Sequence, residues 1–260
     1  MSQFIFAFLM TLIAGLATGI GAGLAFFTKK ENAFFLSASL GFSAGVMLYV
    51  SFMEILPSAA DLLQSRYHFL LPVGFFIGML LIAFIDMMVP KDENPHEFFH
   101  TSQELKHLRR SKLLRIGLMA ACAVAIHNFP EGFATFISLM QDKTIGISVV
   151  IAIALHNIPE GVAVSMPIYY ATHSRKKAFW YSFASGFAEP IGAAIGYLIL
   201  RPFLSQEVLA TVFAATAGIM VYISLDELLP AAREYGKNHL TIWGTIIGMM
   251  FMAFVLEVVH

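Results

Sequence analysis

Charge is scarce in this 260-residue chain: Asp, Glu, Lys and Arg together make up 13% of it, about half the share of an ordinary soluble domain. Hydrophobic residues account for 58%, which excludes a disordered chain and most soluble globular ones. Neither sign dominates, with 16 basic against 17 acidic residues. A nucleic-acid binder would need a basic face, and none is available. There is one cysteine, Cys122, so no intramolecular disulfide can form. Its setting in an apolar run reads as packing rather than reactive chemistry. A Gly-rich phosphate loop ending in Lys-Ser or Lys-Thr is absent, which argues against ATP-driven work, and no His-Glu-x-x-His favours a metallohydrolase.

What is abundant is the long apolar run. A membrane-crossing helix needs about 20 such residues, and eight runs qualify: Phe4–Phe27, Ala33–Leu56, Phe69–Val89, Leu114–Met140, Thr144–Tyr170, Ala178–Leu204, Val208–Leu229 and Leu240–Val259. They are too long and continuous for alternating barrel strands. The first lacks a basic flank and is too long for a signal peptide. The reading is an all-α membrane protein with eight transmembrane helices, forming a single membrane domain over residues 1–260. The one sizeable connection, residues 90–113, carries His96, His100 and His107 among acids and lysines. If the spans alternate, all lysines and arginines except Arg66, Lys143 and Arg201 fall on one side. The positive-inside rule puts that side, and the 90–113 loop, in the cytoplasm, with both termini outside.

The chain also repeats itself. Ser43-Ala-Gly-Val-Met-Leu-Tyr-Val-Ser-Phe-Met-Glu-Ile-Leu-Pro57 recurs 173 residues later as Thr216-Ala-Gly-Ile-Met-Val-Tyr-Ile-Ser-Leu-Asp-Glu-Leu-Leu-Pro230. Span 3 matches span 8 through Gly74, Gly78 and Phe84 against Gly244, Gly248 and Phe254, and span 1 matches span 6 more weakly. An odd number of helices separates the copies, so they face opposite ways. The arrangement expected is 3+2+3, with inverted repeats in spans 1–3 and 6–8, the architecture of secondary transporters.

The two middle spans carry a duplication of their own: His127-Asn128-Phe129-Pro130-Glu131-Gly132 and His156-Asn157-Ile158-Pro159-Glu160-Gly161. Each begins about 18–20 Å into its helix, near the bilayer centre. Within each motif His, Asn and Glu share a helix face. The proline removes a backbone hydrogen bond, which is tolerated at membrane depth when the backbone lines a polar cavity. Glu54, Asp86, Glu131, Glu160, Glu189, Asp226, Glu227 and Glu257 are the acids within or at the ends of spans. Read without basic residues in the span interiors, they must be protonated or hold cations, except Asp86 and Glu257, which lie near span ends and are expected to snorkel. His127, His156, Glu131 and Glu160 suit four-coordinate Zn²⁺. Asn128, Asn157 and Glu189 add oxygens that favour harder ions such as Fe²⁺ or Mn²⁺. Glu54 at one mouth, Asp226 and Glu227 at the other, and Met47 as either a thioether ligand or packing complete the expected path. The glycine pairs spaced four apart, such as Gly41/Gly45, Gly74/Gly78 and Gly244/Gly248, read as close helix contacts.

These residues resemble the ZIP family of metal-ion transporters over essentially the whole chain, the two His-Asn-x-Pro-Glu-Gly motifs being highly specific to it. The resemblance implies import of divalent metals, chiefly Zn²⁺ and also Fe²⁺, with Mn²⁺, Co²⁺ or Cd²⁺ as further cargo, across a bacterial inner membrane. It implies no cofactor and no enzyme activity. The partners expected are metal ions and the lipid bilayer, with a homodimer to be tested and no nucleic acid. By position it places Glu131, His156 and Glu160 on a zinc side, with His127 a close candidate, and Asn128, Glu131, Asn157, Glu160 and Glu189 on an iron side.

Overall fold

In hydrocarbon no water can satisfy a backbone amide, so each apolar segment must bond within itself. The described residues, 2–27, 32–88, 102–200, 203, 205–236 and 238–259 of a computed structural model, are accordingly helical apart from short turns. In chain order the α-helices are α1 (Gln3–Phe27), α2 (Ala33–Val50), α3 (Leu56–Asp61), α4 (Leu70–Met88), α5 (Ser102–Gln141), α6 (Lys143–Thr172), α7 (Arg175–Gly186), α8 (Ala188–Ile195), α9 (Gln206–Tyr222), α10 (Leu229–Tyr235) and α11 (Asn238–Val259). Among the described residues, seven segments are long and apolar enough to cross a membrane: Gln3–Gly23, Ala33–Asp61, Ser65–Met88, Leu108–Gln141, Gly146–Thr172, Gln206–Tyr235 and His239–Val259.

The sixth expected span is broken. Pro190 has no N–H for the Gly186 carbonyl, and its ring crowds that oxygen, so the chain turns at Phe187 between α7 and α8. The break places Glu189 in the first turn of α8. A second departure lies in residues 90–113, expected to be loop throughout: α5 already begins at Ser102. Gln103, Glu104, Leu105, Lys106 and Arg109 are good helix formers, and an α-helix can continue into water where a membrane span cannot stop it. His96 and His100 lie outside the described residues.

Both copies of the long repeat contain the same irregularity. Ser51–Ile55 and Ile223–Leu228 are π-helical turns, closed by Leu56 N–H to Ser51 O and by Leu229 N–H to Ser224 O. Ser51 Oγ donates to Met47 O at 2.7 Å and Ser224 Oγ to Met220 O at 2.8 Å. Pro57 and Pro230 come two residues after these turns, and widening the helix ahead of them relieves the clash with the carbonyl four residues back. The turns hold Glu54 in one copy and Asp226 and Glu227 in the other.

Packing follows side-chain size. On α4 the buried positions are Gly74, Gly78, Ile82 and Asp86, four apart, while Phe76, Leu80 and Phe84 point outward. α4 packs along α9, α2 along α11, α1 along α6, and α5 along α6 and α8. The contacts are backbone on backbone: a Cβ built on Gly78 would lie 1.9 Å from the Ala215 carbonyl oxygen, and one on Gly45 2.1 Å from that of Thr245. Cys122 sits exposed on the outer face of α5 rather than in packing.

Gly78→Ala is therefore expected to lower stability by about 1–3 kcal/mol. Gly23→Ala, where an added methyl meets nothing within 4 Å, should be neutral or gain up to about 1 kcal/mol from helix propensity. Thermal unfolding of the detergent-solubilised variants distinguishes the two.

Candidate metal centre

The two prolines that follow His127-Asn128 and His156-Asn157 leave α5 and α6 continuous. The glycine ending each motif sets what lies beside it. A Cβ on Gly132 would fall 2.0 Å from the Glu189 carbonyl oxygen, and one on Gly161 2.0 Å from that of Thr18. No side chain could occupy either place, so α8 closes on α5 and α1 closes on α6. The hexapeptide is thus both a donor set and a packing device.

All seven residues expected at the centre are buried: His127, Asn128, Asn157, Glu160 and Glu189 have no exposed surface, and His156 and Glu131 have 4% and 8%. The pairing runs between helices. His127 Nε2 lies 2.9 Å from Glu160 Oε1, and His156 Nε2 lies 3.3 Å from Glu131 Oε2, without the alignment of a hydrogen bond. His156 is 3.8 Å from its own i+4 partner Glu160. Each histidine therefore faces the other motif's glutamate, an exchange that helical spacing alone does not reveal. Asn157 Nδ2 donates to Ala14 O at 2.8 Å and to Glu189 Oε1, joining the broken helix to the centre. Ser43 Oγ donates to Pro159 O at 2.7 Å, tying α2 to the α6 motif.

Hydrogen bonds within the protein do not exhaust these donors. His127 Nδ1, both side-chain atoms of Asn128, Glu131 Oε2, His156 Nε2, Asn157 Oδ1, Glu160 Oε2 and Glu189 Oε2 are buried without a hydrogen-bond partner. Buried polar atoms are ordinarily paired, because an unpaired one costs about 1–3 kcal/mol. So many orphaned lone pairs among two imidazoles, two amides and three carboxylates match the chemistry of a divalent-cation site.

A cavity of about 320 Å³ reaches this cluster from one end. Its lining includes Glu54, Ser58, Ser138 and Gln141 together with Glu131 and His156 of the cluster. Met47 is buried in the core with its repeat mate Met220, and its carbonyl is engaged by Ser51.

The opposite end is built differently from what the sequence suggested. Arg115, on α5, pairs with Asp86 of α4 and with Glu227 at 3.1 Å. Asp86 is thus buried and paired rather than reaching for the surface, and Glu227 has a basic partner. Glu257 is exposed, as a residue near a helix end should be. Asp226 is exposed beside Asp86 and Glu227, the three carboxylates lying within 4.8 Å of one another. Arg110 with His173 at 2.8 Å, and Lys112 with Glu234 at 2.7 Å, lie at the same end of α5.

The described residues are helical, with membrane-length spans, a buried polar cluster at mid-helix and a cavity leading to it, the build of an integral membrane protein with a site between its spans. The chain matches the ZIP Zinc transporter family over residues 89–256 and belongs to that family. It is 57% identical over 259 residues to the zinc transporter ZupT of Streptococcus mutans, covering 97% of each chain. It is also 56% identical to that of Oceanobacillus iheyensis, again over 97% of both. The ZupT of Nitratidesulfovibrio vulgaris is 54% identical, with 95% and 94% covered.

Proposed function

We propose that this protein imports Zn²⁺ into the cytoplasm through a two-metal site at the middle of the membrane, and that it also carries Fe²⁺. The observation that carries the reading is the set of orphaned donor atoms on His127, Asn128, Glu131, His156, Asn157, Glu160 and Glu189, gathered between α5, α6 and α8. Membership of a family with zinc-transporting relatives supports the cargo. Glu131 and Glu160 bridge the two metals. His127 and His156 complete the zinc half with nitrogen, and Asn128, Asn157 and Glu189 complete the other half with oxygen.

The path runs from Glu54, along the cavity, to the centre, and leaves past Asp226 and Glu227. Met47 stands beside the path as a soft ligand. The matching π turns at Ser51–Ile55 and Ile223–Leu228 support an inverted pair of three-helix repeats around α5 and α6. Alternating access then exposes the centre first to one mouth and then to the other. The basic residues gathered near the start of α5 support a cytoplasmic location for the second mouth, with both termini outside. The membrane potential favours import by about 4.6 kcal/mol per divalent ion at 100 mV, twice the figure for one charge.

Glu131→Ala or Glu160→Ala should abolish uptake of both metals. Uptake above about half of wild type at equal expression would contradict the bridging role, since removing a shared ligand leaves neither metal held.

The two halves also separate by chemistry. His156→Ala should depress zinc uptake more than iron uptake, and Asn157→Ala or Glu189→Ala the reverse. Competition between labelled Zn²⁺ and Fe²⁺, in cells lacking other importers, measures the ratio. An equal fall of both metals in all three variants would mean a single pooled site.

A further inference from the structure

The two repeat-related glutamates, Glu54 and Glu227, occupy equivalent π turns but unlike surroundings. Glu54 lines the cavity that reaches the centre. Glu227 is buried, and its carboxylate accepts from Arg115 Nη1 at 3.1 Å while Arg115 Nη2 donates to Asp86. One guanidinium thus bridges two buried carboxylates from two elements, α4 and the turn between α9 and α10, and is itself carried on α5. A lysine, a single point charge, could not span them with the same fork. The side chains of Arg115, Asp86 and Glu227 are 18%, 7% and 4% exposed, so the pair is shielded from water and salt. Asp226 stands beside them at the surface, its carboxylate within 4.8 Å of the other two.

We propose that Arg115 is a tethered cation that closes the inner mouth and keeps Asp86 and Glu227 from retaining the transported ion. The inference rests on the path reading above, in which the ion leaves past Glu227. An ion moving from the centre meets carboxylates already neutralised by the guanidinium, and must displace it to pass. Arg115 then returns to the same two oxygens and releases the ion toward Asp226 and water. The exchange is one cation for another at fixed carboxylates, with no bond chemistry and no proton required. In this structure, with the cavity running in from the Glu54 side, the latch is engaged: Arg115 joins α5, which carries half of the centre, to α4 and the α9–α10 turn. Loss of one carboxylate partner strands a buried charge, so the latch is also sensitive to either acid.

The test uses the full chain, purified in detergent and titrated with Zn²⁺, with bound metal counted after desalting. Arg115→Gln should hold one more Zn²⁺ per chain than the unaltered protein, and the double variant Arg115→Gln, Glu227→Gln should lose that extra ion. Uptake in cells by Arg115→Gln should fall about tenfold, because the ion is retained at the exit. Unchanged stoichiometry in Arg115→Gln overturns the proposal. Should that variant not fold, Arg115→Lys, which keeps the charge but not the fork, carries the test. It should also hold more Zn²⁺ per chain than the unaltered protein, because a point charge cannot cover both carboxylates at once, and an unchanged stoichiometry in this variant overturns the proposal. Failure of the underlying path reading looks different: Glu227→Gln would then transport at the wild-type rate.

Discussion

Burying an ionised carboxylate in hydrocarbon is the constraint around which this molecule is organised. An unpaired charge there costs several kcal/mol or more, so Glu131, Glu160 and Glu189 can be kept only beside groups that answer them. The protein answers with imidazoles and amides rather than with lysine or arginine. His127 reaches Glu160 and His156 reaches Glu131 across the interface between α5 and α6, and Asn157 reaches Glu189. Partners of this kind satisfy some lone pairs and leave others for a cation. Toward the start of α5 the solution changes, and a guanidinium, Arg115, sits on Asp86 and Glu227.

That chemistry depends on helices approaching more closely than side chains allow. Lipid supplies no hydrophobic force to drive helix against helix, so association rests on close packing of small residues. Gly132 lets the α8 backbone at Glu189 lie against α5, and Gly161 lets α1 at Thr18 lie against α6. The carboxylates come from three helices, two of them carrying the duplicated motif and the third broken by Pro190. Without the break at Phe187, Glu189 would not stand in the first turn of a new helix.

Much of this was legible before any coordinates. The spans followed from hydrophobic length, and the seven central residues from two hexapeptides and one Glu-Pro pair. The Gly74/Gly78 and Gly41/Gly45 spacings announced the close contacts that Ala215, Thr211, Thr241 and Thr245 make with them. Other features were hidden for physical reasons. Helical spacing links His127 to Glu131 within one helix, whereas the closer partner, Glu160, lies across an interface that periodicity cannot see. The turn at Phe187 was masked because the apolar run continues through it, although Pro190 was the available signal. Arg115 was counted with the cytoplasmic charges. Its position one residue past the expected start of span 4 gave no hint that it folds back between Asp86 and Glu227. The π turns were equally silent, since hydrophobicity is unaffected by one extra residue per turn.

The central claim is that imidazole and carboxylate from α5 and α6 hold the metal at mid-membrane. X-ray absorption at the zinc edge, on purified protein loaded with Zn²⁺, tests it most directly. The account predicts a nitrogen and oxygen shell at about 2.0–2.1 Å with the outer-shell scattering of imidazole. It also predicts that this imidazole signature disappears when His127 and His156 are both replaced by alanine. An all-oxygen shell, a sulfur shell at about 2.3 Å, or an imidazole signature that survives the double replacement would contradict it.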